Sequence, residues 1–197
     1  MKITVIIPVG PGHEKCAFEA MTSAGTAWDY SHGPFTHLCV VMIGDTHGKL
    51  GRSGARNRGL DCNEADWFFL LDADDEMLPG AFREVNLNFP ATFGAVCVND
   101  DIIAANVYPL TRKMILRCGA HGTLSMGFFL KGDVETRFDE TLDKGEDFDF
   151  YMRLPGFKKV MAPLVSIGRN IPSAGGPRGY GKIKWLDICN EVIDKYR

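Results

Sequence analysis

The sequence of 197 residues predicts a single α/β domain in which helices cover both faces of a mainly parallel sheet. Three continuous apolar runs carry this prediction, because such runs are typical of strands buried on both faces: residues 2–9, 37–43 and 67–71. Each run ends at Gly, Pro or Asp residues, which commonly terminate strands. Stretches with helical composition separate the runs at residues 14–28 and 53–65. The length is that of one domain of about 100–200 residues.

The remaining elements follow from weaker patterns. Ser53 is placed to cap the second helix, and Pro79 occupies a position that the start of a third helix tolerates. Short runs of strand composition between residues 95 and 130 predict a small mixed C-terminal part of the sheet. A helix at 146–154, a strand at 159–167 and a helix at 182–196 complete the predicted domain.

Composition and charge exclude several classes of protein. Hydrophobic residues make up 45% and charged residues 24% of the chain, as in ordinary globular domains. The formal net charge of −3 argues against a generally basic nucleic-acid-binding protein. The sequence has no run of about 20 apolar residues, the length that a transmembrane helix needs. Pro8 interrupts the first apolar run, and no signal-peptide cleavage pattern follows it, so we expect a cytoplasmic protein without a transmembrane anchor.

An acidic turn is the sharpest chemical feature of the sequence. Four of the five residues from Asp72 to Glu76 are acidic, and they directly follow an apolar run. Grouped carboxylates repel one another unless water solvates them or a cation neutralises them. One interpretation is a solvated turn that caps a following helix. The other is a site for a hard cation such as Mg²⁺ or Mn²⁺, which prefers oxygen ligands.

Five segments in this order resemble the family 2 glycosyltransferases of the GT-A fold: KITVIIPV, GRSGARNRG, WFFLLDADDEMLPGAF, RFDETL and GEDFDFYMRL. The resemblance covers about residues 2–170. It implies a single Rossmann-like domain over residues 1–197. Within it, residues 1–100 would bind a nucleotide-sugar donor, and residues 101–197 would form the acceptor half and a C-terminal helix.

The resemblance also implies roles for residues of the acidic turn. Asp72-Ala73-Asp74 matches the DxD element of the family. Asp74 would bind a divalent ion, Mn²⁺ or Mg²⁺, that bridges the pyrophosphate of the donor. Asp72 would contact the metal or the ribose, with Ala73 between them in the donor site. A bridging cation explains why carboxylates lie beside a pyrophosphate that would otherwise repel them.

Further donor-binding residues are implied at the ends of the first two strands and in the second helix. Asp45 lies where the family reads the nucleobase, and Pro8 and Val9 would line the same pocket. Arg52 and Arg56 would contact the base, the phosphates or Asp45. Basic side chains near a helix start suit this role, because helix N-termini favour anions.

The match GED at residues 145–147 implies the catalytic residues. Glu146 and Asp147 correspond to the ED element, in which the Asp is the catalytic base of an inverting displacement. We expect the helix dipole to keep Asp147 ionised in the first turn of its helix. Arg169 stands near the position where the family often has a His, and it can pair with phosphate oxygens instead.

The predicted function is therefore metal-dependent, inverting transfer of a sugar from a nucleotide-sugar, expected to be a UDP-sugar, to a hydroxyl of a glycan or lipid-linked glycan. Transfer to a modified nucleobase in DNA, as in some phage enzymes, is an alternative that the net charge does not favour. A nucleotidyltransferase of related fold is a second alternative, although residues 8–15 match its expected phosphate-binding loop poorly. The modest size suggests that acceptor recognition involves a homo-oligomer or another protein.

Overall fold

The computed structural model describes residues 1–62, 64–98, 101–103, 113, 116, 126–167 and 182–196. The first half alternates strands and helices: β1 (Lys2–Val9), α1 (Glu14–Tyr30), β2 (His37–Gly44), α2 (Gly51–Asp61) and β3 (Trp67–Leu70). A short strand, β4 (Glu76–Met77), and a 3₁₀ turn (Ala81–Glu84) lead into the second half. The second half contains, in chain order, β5 (Ala91–Val98), β6 (Asp101–Ile103), β7 (Phe128–Lys131), α3 (Glu146–Arg153), β8 (Lys158–Ser166) and α4 (Lys182–Asp194).

The strands form one eight-stranded sheet in the order β2-β1-β3-β7-β5-β8-β4, and β6 pairs with β5. The pairs β1/β2, β1/β3 and β5/β8 are parallel, whereas β7 is antiparallel to both β3 and β5. Five of the eight described strands therefore run in one direction. This confirms the predicted mainly parallel sheet with a mixed second half.

The central strands β1 and β3 are buried on both faces, as their apolar runs predict. The prediction of a buried strand at residues 37–43 was wrong, because β2 lies at the edge of the sheet and its residues are exposed or half-buried. Alternate residues of β3 enter two different core clusters: Phe68 and Leu70 pack with α2, α3 and α4, whereas Trp67 and Phe69 pack with α1. On the first face α2 lies close to β1, because a Cβ atom at Gly59 would come within 2.4 Å of Ile6 Cγ2. This close approach places the side chains of α2 at the carboxyl ends of the central strands.

The second helix begins earlier than predicted. It starts at Gly51 and ends at Asp61, and its N-cap residue Leu50 contributes no capping side chain. Ser53, the predicted cap, lies inside the helix with a buried hydroxyl. The prediction was wrong because the cap comes from Asp45, a residue that precedes the helix by six positions.

The helix predicted after Pro79 is limited to the 3₁₀ turn. Gly80 adopts a left-handed conformation with φ 88°, and Val85 is already extended after the turn. The backbone N–H of Leu78 bonds to Leu164 O at 2.9 Å, and that of Asn86 bonds to Thr92 Oγ1 at 3.0 Å. These long-range contacts direct the chain into β5 and leave room for only one turn.

Within the described part of the chain, every helix is too short or too polar to cross a membrane.

Candidate active site

The candidate site lies where the ends of β1 and β3 meet the first turns of α2 and α3. In open α/β sheets this edge, beyond the carboxyl ends of the strands, is where ligands bind. Val9 is buried and pairs with Gly44 at the end of β2, and Pro8 is half-buried beside it. The Asp45 backbone N–H donates to Val9 O at 2.8 Å. Pro8 and Val9 thus lie at the predicted edge.

Asp45 holds the loop that leads into α2. Its buried carboxylate accepts hydrogen bonds from the backbone N–H groups of Lys49, Leu50 and Gly51 at 2.8, 3.0 and 2.8 Å. These donors belong to the start of α2, where N–H groups have no partner within the helix. The sequence predicted that Asp45 reads a nucleobase. In the structure both carboxylate oxygens hold the loop that leads into α2, and the contact with a nucleobase stays a prediction.

Arg56 is the centre of a buried ionic network. Its side chain is 4% exposed and joins two carboxylates from distant parts of the chain. Nη2 lies 2.7 Å from Asp72 Oδ1, Nη1 lies 3.0 Å from Glu146 Oε1, and the guanidinium lies over the ring of Phe138 at 5.2 Å. Burial opposes the charged form, but Asp72 and Glu146 outweigh it and raise the pKa of Arg56. Arg56 therefore links the acidic turn to α3.

Asn57 fixes the segment that packs beside Arg56. Its amide Nδ2 donates to Phe138 O at 2.9 Å and to Glu140 Oε1 at 2.8 Å. The Phe138 N–H donates to Asn57 Oδ1 at 2.8 Å, so the Asn57 amide acts as both donor and acceptor toward Phe138. Sequence reasoning missed this residue. The feature that could have identified Asn57 is its polar amide next to Arg56, in a helical turn whose other residues are buried.

Arg52 stands at the mouth of the same network. Its side chain is 43% exposed, and Nη1 lies 3.6 Å from Glu146 Oε1. Glu146 itself is buried between the two arginines. The exposed part of the Arg52 guanidinium is therefore a positive charge that a dissolved anion can reach.

Asp147 lies next to Glu146 and is partly buried. Within the described residues, its carboxylate accepts one hydrogen bond, from the Phe148 N–H to Oδ1 at 2.7 Å. Burial and the neighbouring Glu146 carboxylate raise the pKa of Asp147 to about 6, and the positive charge of Arg56 only partly opposes them. The carboxylate is still ionised at neutral pH, as expected, although burial and Glu146 raise its pKa. A carboxylate with this pKa is a stronger base than an ordinary Asp.

Two buried polar groups near Asp147 lack partners. Within the described part of the chain, Tyr151 Oη and Arg56 Nε have no hydrogen-bond partner. Burial first, and then the charge of Asp147, raise the pKa of Tyr151 well above its usual value. Sequence reasoning missed Tyr151, although its spacing of four residues places it on the same helix face as Asp147.

The acidic turn presents oxygen donors beside this network. The Asp75 N–H bonds to Asp72 O at 3.1 Å and closes the turn, while Ala73 and Asp75 are buried. Asp72 and Asp74 are partly exposed. In the described residues, no three His, Cys, Asp or Glu side chains form a metal cluster. The carboxylates nevertheless fit Mg²⁺ or Mn²⁺, since such ions commonly take one or two protein carboxylates and complete their shell with phosphate and water. Arg169 lies outside the described residues.

Comparisons with known proteins bear on the family and the fold of the chain. The family model described as Glycosyl transferase family 2 matches residues 37–145, more than half of the chain. No curated protein matches the sequence.

Solved structures share the fold at low sequence identity. The structure of S. aureus TarS 1-349 in complex with UDP-GlcNAc superposes with a TM-score of 0.65 at 16% identity. The match covers 88% of this chain and 60% of that one. Glucosyl-3-phosphoglycerate synthase from Mycobacterium tuberculosis, in complex with Mn²⁺, UDP-Glc and phosphoglyceric acid, gives a TM-score of 0.56 at 12% identity. This match covers 98% of this chain and 80% of that one.

The chain spans only part of the length of its first structural neighbours, 36% in the structure of TarS that is not limited to residues 1–349. These neighbours confirm the GT-A-like fold, and the family model confirms the predicted resemblance. The chain belongs to glycosyl transferase family 2.

Proposed function

We propose that the chain catalyses metal-dependent, inverting transfer of a sugar from a UDP-sugar to a hydroxyl of a glycan or lipid-linked glycan. The observation that carries this proposal is the bridge that Arg56 makes between Asp72 and Glu146. It brings the acidic turn and the first turn of α3, which contains Asp147, to the buried guanidinium of Arg56. Donor-side and acceptor-side carboxylates therefore lie at one site, as a displacement on a nucleotide-sugar requires.

The donor half of the site is formed by residues 1–100 in this proposal. Asp74, assisted by Asp72, would hold Mn²⁺ or Mg²⁺ against the diphosphate. The bound ion would neutralise the charge that develops on the departing nucleoside diphosphate. The partly exposed guanidinium of Arg52 supplies a further positive charge for the phosphates. Pro8 and Val9 would contact the nucleobase beside the loop that Asp45 holds.

The base in this proposal is Asp147. Its carboxylate would accept the proton of the acceptor hydroxyl as that oxygen attacks the anomeric carbon from the side opposite the leaving group. With a pKa of about 6 the carboxylate is largely ionised at neutral pH and still attracts a proton. Glu146 does not face the acceptor, because Arg56 and Arg52 engage it. It positions the first turn of α3.

Assignment of residues 101–197 to the acceptor half is part of the same proposal. A cytoplasmic location and a homo-oligomeric state stay predictions from the sequence. Family membership weighs against the nucleotidyltransferase alternative. Transfer to a nucleobase in DNA uses the same donor chemistry and differs only in the acceptor.

Removal of the Asp74 carboxylate is expected to abolish metal-dependent binding of UDP. Calorimetric titration of wild type with UDP should show binding in Mn²⁺ that EDTA removes. Asp74→Ala should weaken binding in Mn²⁺ by about tenfold or more, because the ion loses a charged oxygen ligand. Asp133→Asn is the matched control, since Asp133 is 70% exposed and forms a surface ion pair with Lys131. Equal binding of UDP in Mn²⁺ and in EDTA, or by Asp74→Ala and wild type, would contradict the proposal.

A further inference from the structure

The first turn of α3 contains three acidic residues, and they have different surroundings. Glu146 points toward Arg56 and the acidic turn. Asp149 is also buried, at 4% exposure, but its partners are Arg153 and Tyr196. Asp147 lies between these two anchored residues in the chain. The matched family segment ends at residue 145, so the Asp149 contacts belong to the part of the chain beyond it.

Both oxygens of the Asp149 carboxylate are engaged. The Tyr196 hydroxyl donates to Oδ1 at 2.6 Å. Arg153 donates from Nε to Oδ2 at 2.8 Å, and its Nη2 forms an ion pair with the same oxygen at 2.7 Å. Hydrogen bonds to an ionised acceptor are shorter and stronger than those between neutral groups. Burial and the bond to Asp149 also raise the pKa of Tyr196 to about 12, so its hydroxyl remains a donor throughout the physiological range.

Apolar residues of α4 pack against the same turn. A Cβ atom at Gly145, the N-cap of α3 with φ 70°, would lie only 3.1 Å from side-chain carbons of Ile188 and Val192. Cys189 is buried in the core cluster that includes Phe148 of α3. Burial and the charge of Asp147 raise the pKa of the Cys189 thiol to about 12.

We propose that the C-terminal segment, through Tyr196 and its hydrogen bond to Asp149, positions the first turn of α3 and hence the carboxylate of Asp147. Glu146 fixes this turn to the donor side, and Asp149 fixes it to the C-terminal segment. Asp147 then presents its carboxylate from a turn held at two points. This inference rests on the proposed role of Asp147 as the base.

The physical reason is the short range over which a base can act. Proton transfer needs the base within hydrogen-bond distance of the acceptor hydroxyl, and a displacement of about 1 Å can cost on the order of 100-fold in rate. Loss of the Tyr196 hydroxyl removes one of the two partners that hold Asp149. It leaves every proposed donor-binding residue unchanged. Tyr196 is therefore a positioning residue in this account.

The test compares Tyr196→Phe with Tyr30→Phe, which removes a hydroxyl from an exposed tyrosine on α1. Release of UDP from UDP-glucose in Mn²⁺ should slow by about tenfold in Tyr196→Phe, while the Kd for UDP stays within about twofold of wild type. Hydrogen exchange of peptides that contain residues 145–150 should accelerate in Tyr196→Phe and stay unchanged in Tyr30→Phe. Asp149→Asn should reproduce both effects.

Unchanged exchange of this segment in Tyr196→Phe would overturn the inference, as would faster exchange with an unchanged rate of UDP release. If wild type releases no UDP from any nucleotide-sugar, the proposed function fails. The inference that rests on it then fails as well, while hydrogen exchange still reports whether Tyr196 holds the turn. If Asp147→Asn slows UDP release and Tyr196→Phe does not, the proposed function survives and the positioning role is rejected.

Discussion

Asp147→Asn is expected to slow UDP release from a UDP-sugar by about 1,000-fold, within the range that a general base contributes. The amide keeps the shape of the side chain but cannot accept the proton of the attacking hydroxyl. The Kd for UDP in Mn²⁺ should change little, because Asp147 is not among the proposed metal or phosphate ligands. Asp143→Asn is the control, since Asp143 is an exposed carboxylate four residues earlier. A rate within about threefold of wild type in Asp147→Asn would contradict the assignment of the base.

The pH dependence provides a second readout for the same substitution. In wild type, kcat/KM should fall as the pH drops below about 6, because the carboxylate of Asp147 becomes protonated. This decrease should disappear in Asp147→Asn.

Ionisation of Asp147 has the opposite effect on the stability of the fold. A folded-state pKa above the unfolded value means that stability decreases as the pH rises from about 4 through 6. Asp147→Asn should therefore unfold at a higher temperature than wild type at pH 7.

Arg56→Met is expected to lower the free energy of unfolding by about 3 kcal/mol, at the lower end of values for breaking a buried ion pair. The substitution leaves the buried Glu146 carboxylate without its closest cation and frees Asp72 from its partner. Asp72 is 27% exposed, so water offsets part of its loss. Chemical denaturation measures the change. Arg58→Met, an exposed position in the same helix, should stay within about 0.5 kcal/mol of wild type.

A conservative substitution at the same position tests the geometry of the bridge. The free energy of unfolding of Arg56→Lys should lie between those of wild type and Arg56→Met, because a single ammonium lacks the planar guanidinium that reaches two carboxylates at once. Equal stability of Arg56→Met and Arg58→Met at neutral pH would show that the bridge contributes nothing to the fold.

The parts of the fold that the sequence predicted are those decided by local pattern. Strands β1 and β3 are largely apolar and are followed by Gly, Pro or Asp, so their positions follow from burial on both faces. The position of β2 also followed from its apolar run, although this edge strand is only partly buried. The start of α2 did not follow, because Asp45 caps it from outside the helix. The short turn after Gly80 was missed because a bond from Leu78 to Leu164, far away in the sequence, determines it.

In the candidate site, too, local motifs predicted some features, and others depend on long-range contacts. The acidic turn was identified because grouped carboxylates repel one another unless water or a cation compensates them. The pair Glu146-Asp147 was identified through the resemblance of the GED segment to the family, since acidic residues in a first helical turn are common. The resemblance implied that Arg56 contacts the donor or Asp45, and the bridge that it makes to Glu146 was not predicted, because Glu146 lies 90 residues away. A raised pKa for Asp147 was also beyond the sequence, since it depends on burial by elements that meet only in the fold. Long-range contacts therefore change the interpretation of residues that the motifs had already located.

The most direct test of the central claim is proton NMR of the wild-type protein with UDP-glucose or UDP-N-acetylglucosamine and Mg²⁺, which is diamagnetic and leaves the anomeric signals sharp. The account predicts that the α-anomeric signal of at least one donor decays, and that the released or transferred sugar first appears in the β configuration. That result requires cleavage of the donor by a single displacement with a base opposite the leaving group. Release of the sugar with retained α configuration, or no loss of either donor signal, would contradict the account.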